Sequence, residues 1–152
     1  MKKQPNSRMC YACGVENPAG LHLHFYEDDD GRIVVHFTPA DVYQGYPGVL
    51  HGGIICTLLD ETIGRALLSD DYWAVTGKLE VRFRKPVPVE KPITVIGEVV
   101  RASKRAVEGH GEIHLADGTV AVEANALYVR LPDAQVEGMK DEVDFWEVVQ
   151  EE

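Results

Sequence analysis

A chain of 152 residues is long enough for one domain with a proper core. Its formal net charge of −10 argues against general nucleic-acid binding, which needs a basic footprint. No segment has the apolar length of a membrane span and the first residues lack an apolar signal core, so a cytoplasmic protein away from membranes is the default expectation.

Residues 1–20 form a turn-rich leader carrying Cys10-Tyr11-Ala12-Cys13-Gly14, then Asn17-Pro18 and Gly20-Leu21. A C-x-x-C pair raises zinc binding, redox chemistry or a plain structural turn. Zinc asks for four ligands, yet no second C-x-x-C exists, and His22 and His24 occupy alternate positions of a strand pattern. A redox pair would normally open a helix, whereas glycine, asparagine and proline follow this one. The turn is the favoured reading, and no metal or cofactor is called for. The third cysteine, Cys56, reads as a small core residue, and three cysteines make a poor disulfide framework.

Leu21 to Tyr26 and Ile33 to Phe37 read as two strands joined by the acidic turn Glu27-Asp28-Asp29-Asp30-Gly31. A loop rich in Gly, Tyr and Pro (43–48) leads to His51-Gly52-Gly53 and a helix predicted from about Gly53 to Leu68. Ile54, Ile55, Leu58, Leu59, Ile63 and Leu67 cover most of its circumference, the pattern of a buried helix. Asp60 is a carboxylate inside that apolar rod, a costly placement without a partner. Gly52 and Gly53 leave the first-turn N–H groups unshielded, and with the helix dipole these suit an oxygen acquiring negative charge. Seven positions separate Gly53 from Asp60, roughly 10 Å at about 1.5 Å per residue. One carbonyl cannot easily be served by both within a chain. Two such helices lying antiparallel about a two-fold axis would bring them together, so a homodimer with interfacial sites is expected.

Four strand patterns follow: Gly77 to Arg84 with clean alternation, Ile93 to Val100, Val107 to Leu115, and Thr119 to Arg130. Their short joints require antiparallel pairing. Between Thr76 and Arg105 lie eight of the fifteen basic residues, among them Lys104 and Arg105, a neighbourhood suited to a small polyanion. From Pro132 the tail is acidic, and Met139, Val143 and Trp146 suggest a short amphipathic helix over part of 132–152. The architecture is α+β: residues 21–131 form one domain in which an antiparallel sheet wraps a single buried helix.

The order of elements resembles the hotdog fold. Gln44-Gly45-Tyr46-Pro47-Gly48-Val49-Leu50-His51-Gly52-Gly53, with Leu58-Leu59-Asp60-Glu61, resembles the phenylacetyl-CoA (PaaI-like) branch of hotdog acyl-CoA thioesterases. The leader from Cys10 to Leu21 is similar to one found in relatives of that branch. The resemblance implies that Gly53 is the oxyanion-hole glycine, Asp60 the catalytic carboxylate acting as base or nucleophile, and His51 a residue holding the thioester end or the loop. Thr76, ten residues before Pro86, matches a water-orienting serine. Relatives place an asparagine six residues before the histidine; here that position is Gly45, and the amide is Gln44 one residue earlier, which with Thr76 is expected among the catalytic residues to orient the water or the substrate. Gly52, Glu61, Lys104 and Arg105 are the expected substrate-binding residues, the last two for the phosphates of CoA. The implied partners are an acyl-CoA and a second copy of the chain, with dimers of dimers left open. A non-catalytic acyl-CoA or acyl-carrier binding protein on the same fold, and a hydratase, are the alternatives.

Overall fold

The computed structural model describes residues 1–68, 72–142 and 146–151, with 141 and 142 by backbone alone. In chain order the elements are β1 (Lys2–Lys3), β2 (Asn6–Ser7), β3 (Tyr26–Glu27), β4 (Ile33–Phe37), α1 (Gly52–Arg65), β5 (Ala74–Phe83), β6 (Ile93–Ala102), β7 (Ala106–His114), β8 (Val120–Arg130), α2 (Asp133–Glu142) and β9 (Trp146–Glu147). Seven strands form one antiparallel sheet in the order β1-β3-β4-β6-β7-β8-β5, and β2 pairs with β9 apart from it. One long helix against an antiparallel sheet is the α+β arrangement expected from the sequence.

Alternation decides which face of the sheet meets α1. Val35, Val95, Ile113 and Val122 are direct partners across four adjacent strands, and all four are fully buried. Against the sheet α1 turns Ile55, Leu58, Leu59, Thr62 and Ile63. Its approach is unusually close. A Cβ on Gly97 would lie 2.7 Å from the Thr62 carbonyl oxygen, and one on Gly109 2.3 Å from Ile63 Cγ2. The helix backbone therefore rests on a floor that tolerates no side chain at Gly97.

The structure departs from the expected elements in four places. Leu21 to Phe25 is not a strand. Leu21, Leu23 and Phe25 are buried as the alternation predicts, but Leu21 N–H and Leu23 N–H donate to the Tyr11 and Ala12 carbonyls, and His22 sits at φ 52°. The leader takes the hydrogen bonds a neighbouring strand would have taken. The long helix ends at Arg65, where Ala66 N–H and Leu67 N–H tighten onto the Ile63 and Gly64 carbonyls. It is buried on one side only: Cys56 and Asp60 are half-buried rather than core residues. The tail helix comes early, at 133–142, and Trp146 belongs instead to β9; Val143 lies outside the described residues.

One sheet edge is β5, ten residues paired on one side with β8. Val75 and Phe83 on it are 50% and 54% exposed. No described helix is long and apolar enough to cross a membrane.

The glycine floor generates a test. Gly97→Ala forces a methyl group into the α1 backbone, and overpacking of that kind costs about 1–3 kcal/mol. Urea unfolding should show that loss, whereas Gly138→Ala, with open space around it, should not.

Candidate active site

The head of α1 is capped by an imidazole. His51 Nδ1 accepts the Gly53 N–H at 2.9 Å, filling the role usually taken by Ser, Thr, Asp or Asn. The amide expected to be bare is thus already engaged by its neighbour. Gly52 lies under the Phe83 ring, whose atoms would be 3.7 Å from a Cβ placed there. His51, Gly52 and Phe83 border a cavity of about 780 Å³, together with Gln44, Arg84 and Lys85. Gln44 keeps the entering loop in shape, its Oε1 accepting Gly48 N–H at 3.1 Å, and Gly48 needs φ +80° there.

Asp60 has two partners. Thr76 Oγ1 donates to its Oδ1 at 2.8 Å, which places the residue expected to orient a water in direct contact with the carboxylate. The second partner is Tyr128, which sequence reasoning missed. Its single hydroxyl proton is shared between the Asp60 main-chain oxygen at 2.8 Å and Oδ1 at 3.2 Å. Burial, with the negative charge of Asp60 beside it, pushes the Tyr128 phenol far above its ordinary range, so it stays a donor. The signal available was the inward position of Tyr128 in the alternation of β8; the helix atom it meets was not readable.

Glu61 points away from this trio. Its Oε1 lies 3.0 Å from Arg65 Nε, and burial raises its pKa, an effect Arg65 partly offsets. Arg65, ordinary in sequence, is 2% exposed and gathers the leader and tail. It donates to the Pro5 carbonyl at 2.6 Å and to Cys13 Sγ at 2.7 Å, and lies between the rings of Phe25 and Trp146, 4.4 and 4.7 Å from their centroids. Cys10, Cys13 and Glu61 have ligand-type atoms all within 4.8 Å of one another; neither His22 nor His24 joins them. Asp60, Tyr128, Cys10, Cys13 and Trp146 share the wall of a second cavity, of about 490 Å³.

The two ends of α1 therefore carry separate parts of the predicted site. Gln44, His51, Gly52 and Gly53 stand at the head; Asp60, Glu61 and Thr76 stand further along. Lys104 and Arg105 sit in the β6–β7 hairpin, and Tyr72, from the Asp60 cavity, places its hydroxyl 3.4 Å from the Lys104 carbonyl. Arg84 and Lys85, in the wall of the head cavity, were not singled out from the basic run; Arg84 Nε pairs with Glu123 at 2.7 Å.

Residues 47–122 match the model of the thioesterase superfamily, half of the chain, and the chain belongs to that family. It is 32% identical over 108 residues to mouse (Mus musculus) acyl-coenzyme A thioesterase THEM4, covering 70% of this chain and 46% of that protein. The chain thus spans about half the length of this curated relative. Among solved structures it is similar to the thioesterase superfamily protein RHA08564, with TM-score 0.76 and 31% identity over 80% of this chain and 63% of that one. The E. coli PaaI protein of the phenylacetic acid degradation operon shares the fold, with TM-score 0.68 and 20% identity over 74% of this chain and 81% of that one.

Tyr128→Phe tests the support under Asp60. Loss of the hydroxyl takes one donor from the Asp60 main-chain oxygen and one from a carboxylate that keeps Thr76, which should lower stability by about 0.5–1.5 kcal/mol in urea unfolding. An unchanged midpoint and slope would mean the hydroxyl contributes nothing there.

Proposed function

We propose that the chain is an acyl-CoA thioesterase of the PaaI-like branch, acting as a homodimer with its sites at the subunit interface. The observation that carries the reading is the Asp60–Thr76 hydrogen bond of 2.8 Å at one end of the edge strand β5, which pairs with β8 on one side. The other end of that strand, Phe83, covers Gly52 at the head of α1. Two β5 edges pairing antiparallel about an axis between Leu79 and Glu80 would set Thr76 of each copy opposite the partner's Phe83. Asp60 of one copy then meets the Gly52-Gly53 head of the other. An exposed strand of this length, with apolar Val75 and Phe83 on it, is a template for such pairing.

In this dimer the thioester oxygen takes over the Gly53 N–H from His51 Nδ1, and the helix dipole favours the charge that develops on it. Asp60 supplies the base or the nucleophile. As base, it accepts a proton from the water that attacks the carbonyl carbon; the carbon–sulfur bond then breaks, and the proton passes to the departing CoA thiolate. As nucleophile, it attacks that carbon itself and expels the CoA thiolate, leaving a mixed anhydride; water then hydrolyses the anhydride, freeing the acid and the Asp60 carboxylate, and the proton released goes to the thiolate. Thr76 and Tyr128 hold Oδ1 in both routes, which leaves Oδ2 for the reaction. The cavity beside Asp60 takes the acyl group. Gln44 steadies the loop, Glu61 lines the acyl side, and Lys104, Arg105 and Lys85 offer charge to the CoA phosphates.

Thiol release over a panel of acyl-CoAs tests the activity, and binding without release would make the chain a binding module instead. Asp60→Asn should reduce kcat by about 10²–10⁴-fold with the fold intact by circular dichroism. The shared site has its own test. Gly53→Pro removes the N–H in the first turn of α1, and with it the bond to His51 Nδ1, and should also be inactive. Mixing and refolding the two inactive variants should restore roughly a quarter of wild-type activity, because heterodimers keep one complete site of two. No recovery would place each site within a single chain.

A further inference from the structure

We propose that Cys10 and Cys13 are an oxidisable pair that closes to a disulfide under a hydroperoxide, in the wall of the cavity that holds Asp60. The proposal does not rest on the thioesterase reading, since it concerns sulfur chemistry alone.

Four observations carry it. The two sulfurs lie within 4.8 Å of each other and both border the 490 Å³ cavity. The turn that brings them together is tight: Gly14 N–H donates to the Cys10 carbonyl at 2.7 Å, and a Cβ on Gly14 would sit 2.4 Å from that oxygen. Cys13 is met by a buried guanidinium, Arg65 Nη2 at 2.7 Å, and by the Ser7 hydroxyl at 3.5 Å. A turn alone requires neither a second thiol nor a buried cation aimed at a sulfur. Lastly, the exposures differ: Cys10 is half-buried whereas Cys13 is 1% exposed, which gives an oxidant one sulfur to reach and leaves the other to finish the reaction.

The charges agree with this division. A hydrogen bond from the Cys10 thiol holds Cys13 down to about 5, against burial and with help from Arg65. Cys10 is pushed far above the thiol range by donating that bond and by burial. The pair thus holds one proton and one stabilised thiolate. A metal is a poorer fit, because Arg65 already supplies positive charge to both Cys13 and Glu61.

The Cys10 thiol passes its proton to the Cys13 thiolate as its sulfur attacks the peroxide; the oxygen–oxygen bond breaks and the departing hydroxide takes a proton from solvent, leaving a Cys10 sulfenic acid beside a Cys13 thiol. The Cys13 sulfur then attacks the Cys10 sulfur, and the displaced hydroxide leaves with the Cys13 proton as water. Two thiols lose two electrons, and the hydroperoxide is reduced by the same two.

Purified protein is treated with hydrogen peroxide at low molar excess, then alkylated, digested and mapped by mass. The expected product links Cys10 to Cys13 with a loss of about 2 Da, forms at least about tenfold faster than any change at Cys56, and reverts with dithiothreitol. The Cys56→Ser variant should give the same link, and Cys10→Ser none. Equal oxidation of all three cysteines, or no link in the wild type, would overturn the proposal. So would purified protein that carries one equivalent of zinc shielding both thiols.

Discussion

Everything in this molecule depends on how closely α1 lies on the sheet. Ile63 sits in a slot left by two glycines of β7, with a Cβ on Gly109 or Gly111 falling 2.3 or 2.8 Å from its side-chain atoms. Thr62 rests on Gly97 with main-chain atoms as near. A helix held that tightly can neither roll nor slide, because interiors this dense do not deform by an ångström without cost. The consequence lies one turn away. With Ile63 seated, Asp60 must fall between β5 and β8, where Thr76 and Tyr128 reach its oxygens.

A second constraint pins the helix end. Arg65 is a buried cation, and burying one without partners costs several kcal/mol. It finds them in Glu61, the Pro5 carbonyl and the Cys13 sulfur, with the rings of Phe25 and Trp146 against the guanidinium. Those partners come from α1, the leader and the tail. The guanidinium therefore gathers three separate stretches of chain around the carboxylate pair. Position 65 also suits a cation on general grounds, since it closes the helix where the dipole is negative.

Much of this was legible in the sequence because it rests on local period. The strand at 77–84 alternates cleanly, the three after it are short-jointed apolar runs, and the glycines before an apolar run with one acid inside it mark the helix. What stayed hidden rests on contacts between distant positions. Arg65 reads as an ordinary surface cation at a helix end; only the leader's packing makes it buried. Tyr128 reads as one more inward residue of β8, and its hydroxyl has meaning only once α1 is placed above it. His51 was legible as a motif residue, but not that its imidazole would cap the glycine amide. Leu21 to Phe25 misled for the opposite reason: the alternation is real, yet the partner is an irregular leader, and no strand forms.

The half-burial of Asp60 ties these points together. A carboxylate on a helix this apolar would be expected to vanish into the core, yet the glycine seat turns the other face of α1 to the sheet and leaves Asp60 at its margin. There one oxygen is fixed by two hydroxyls, and the surrounding wall is built from the leader, the tail and an open strand edge. The edge is the part a single chain does not cover. In the proposed dimer a partner β5 would pair along that edge and carry the head of another α1 towards Asp60. The packing that fixes the carboxylate and its position beside the β5 edge, which the proposed dimer would use, are thus two results of one placement of the helix.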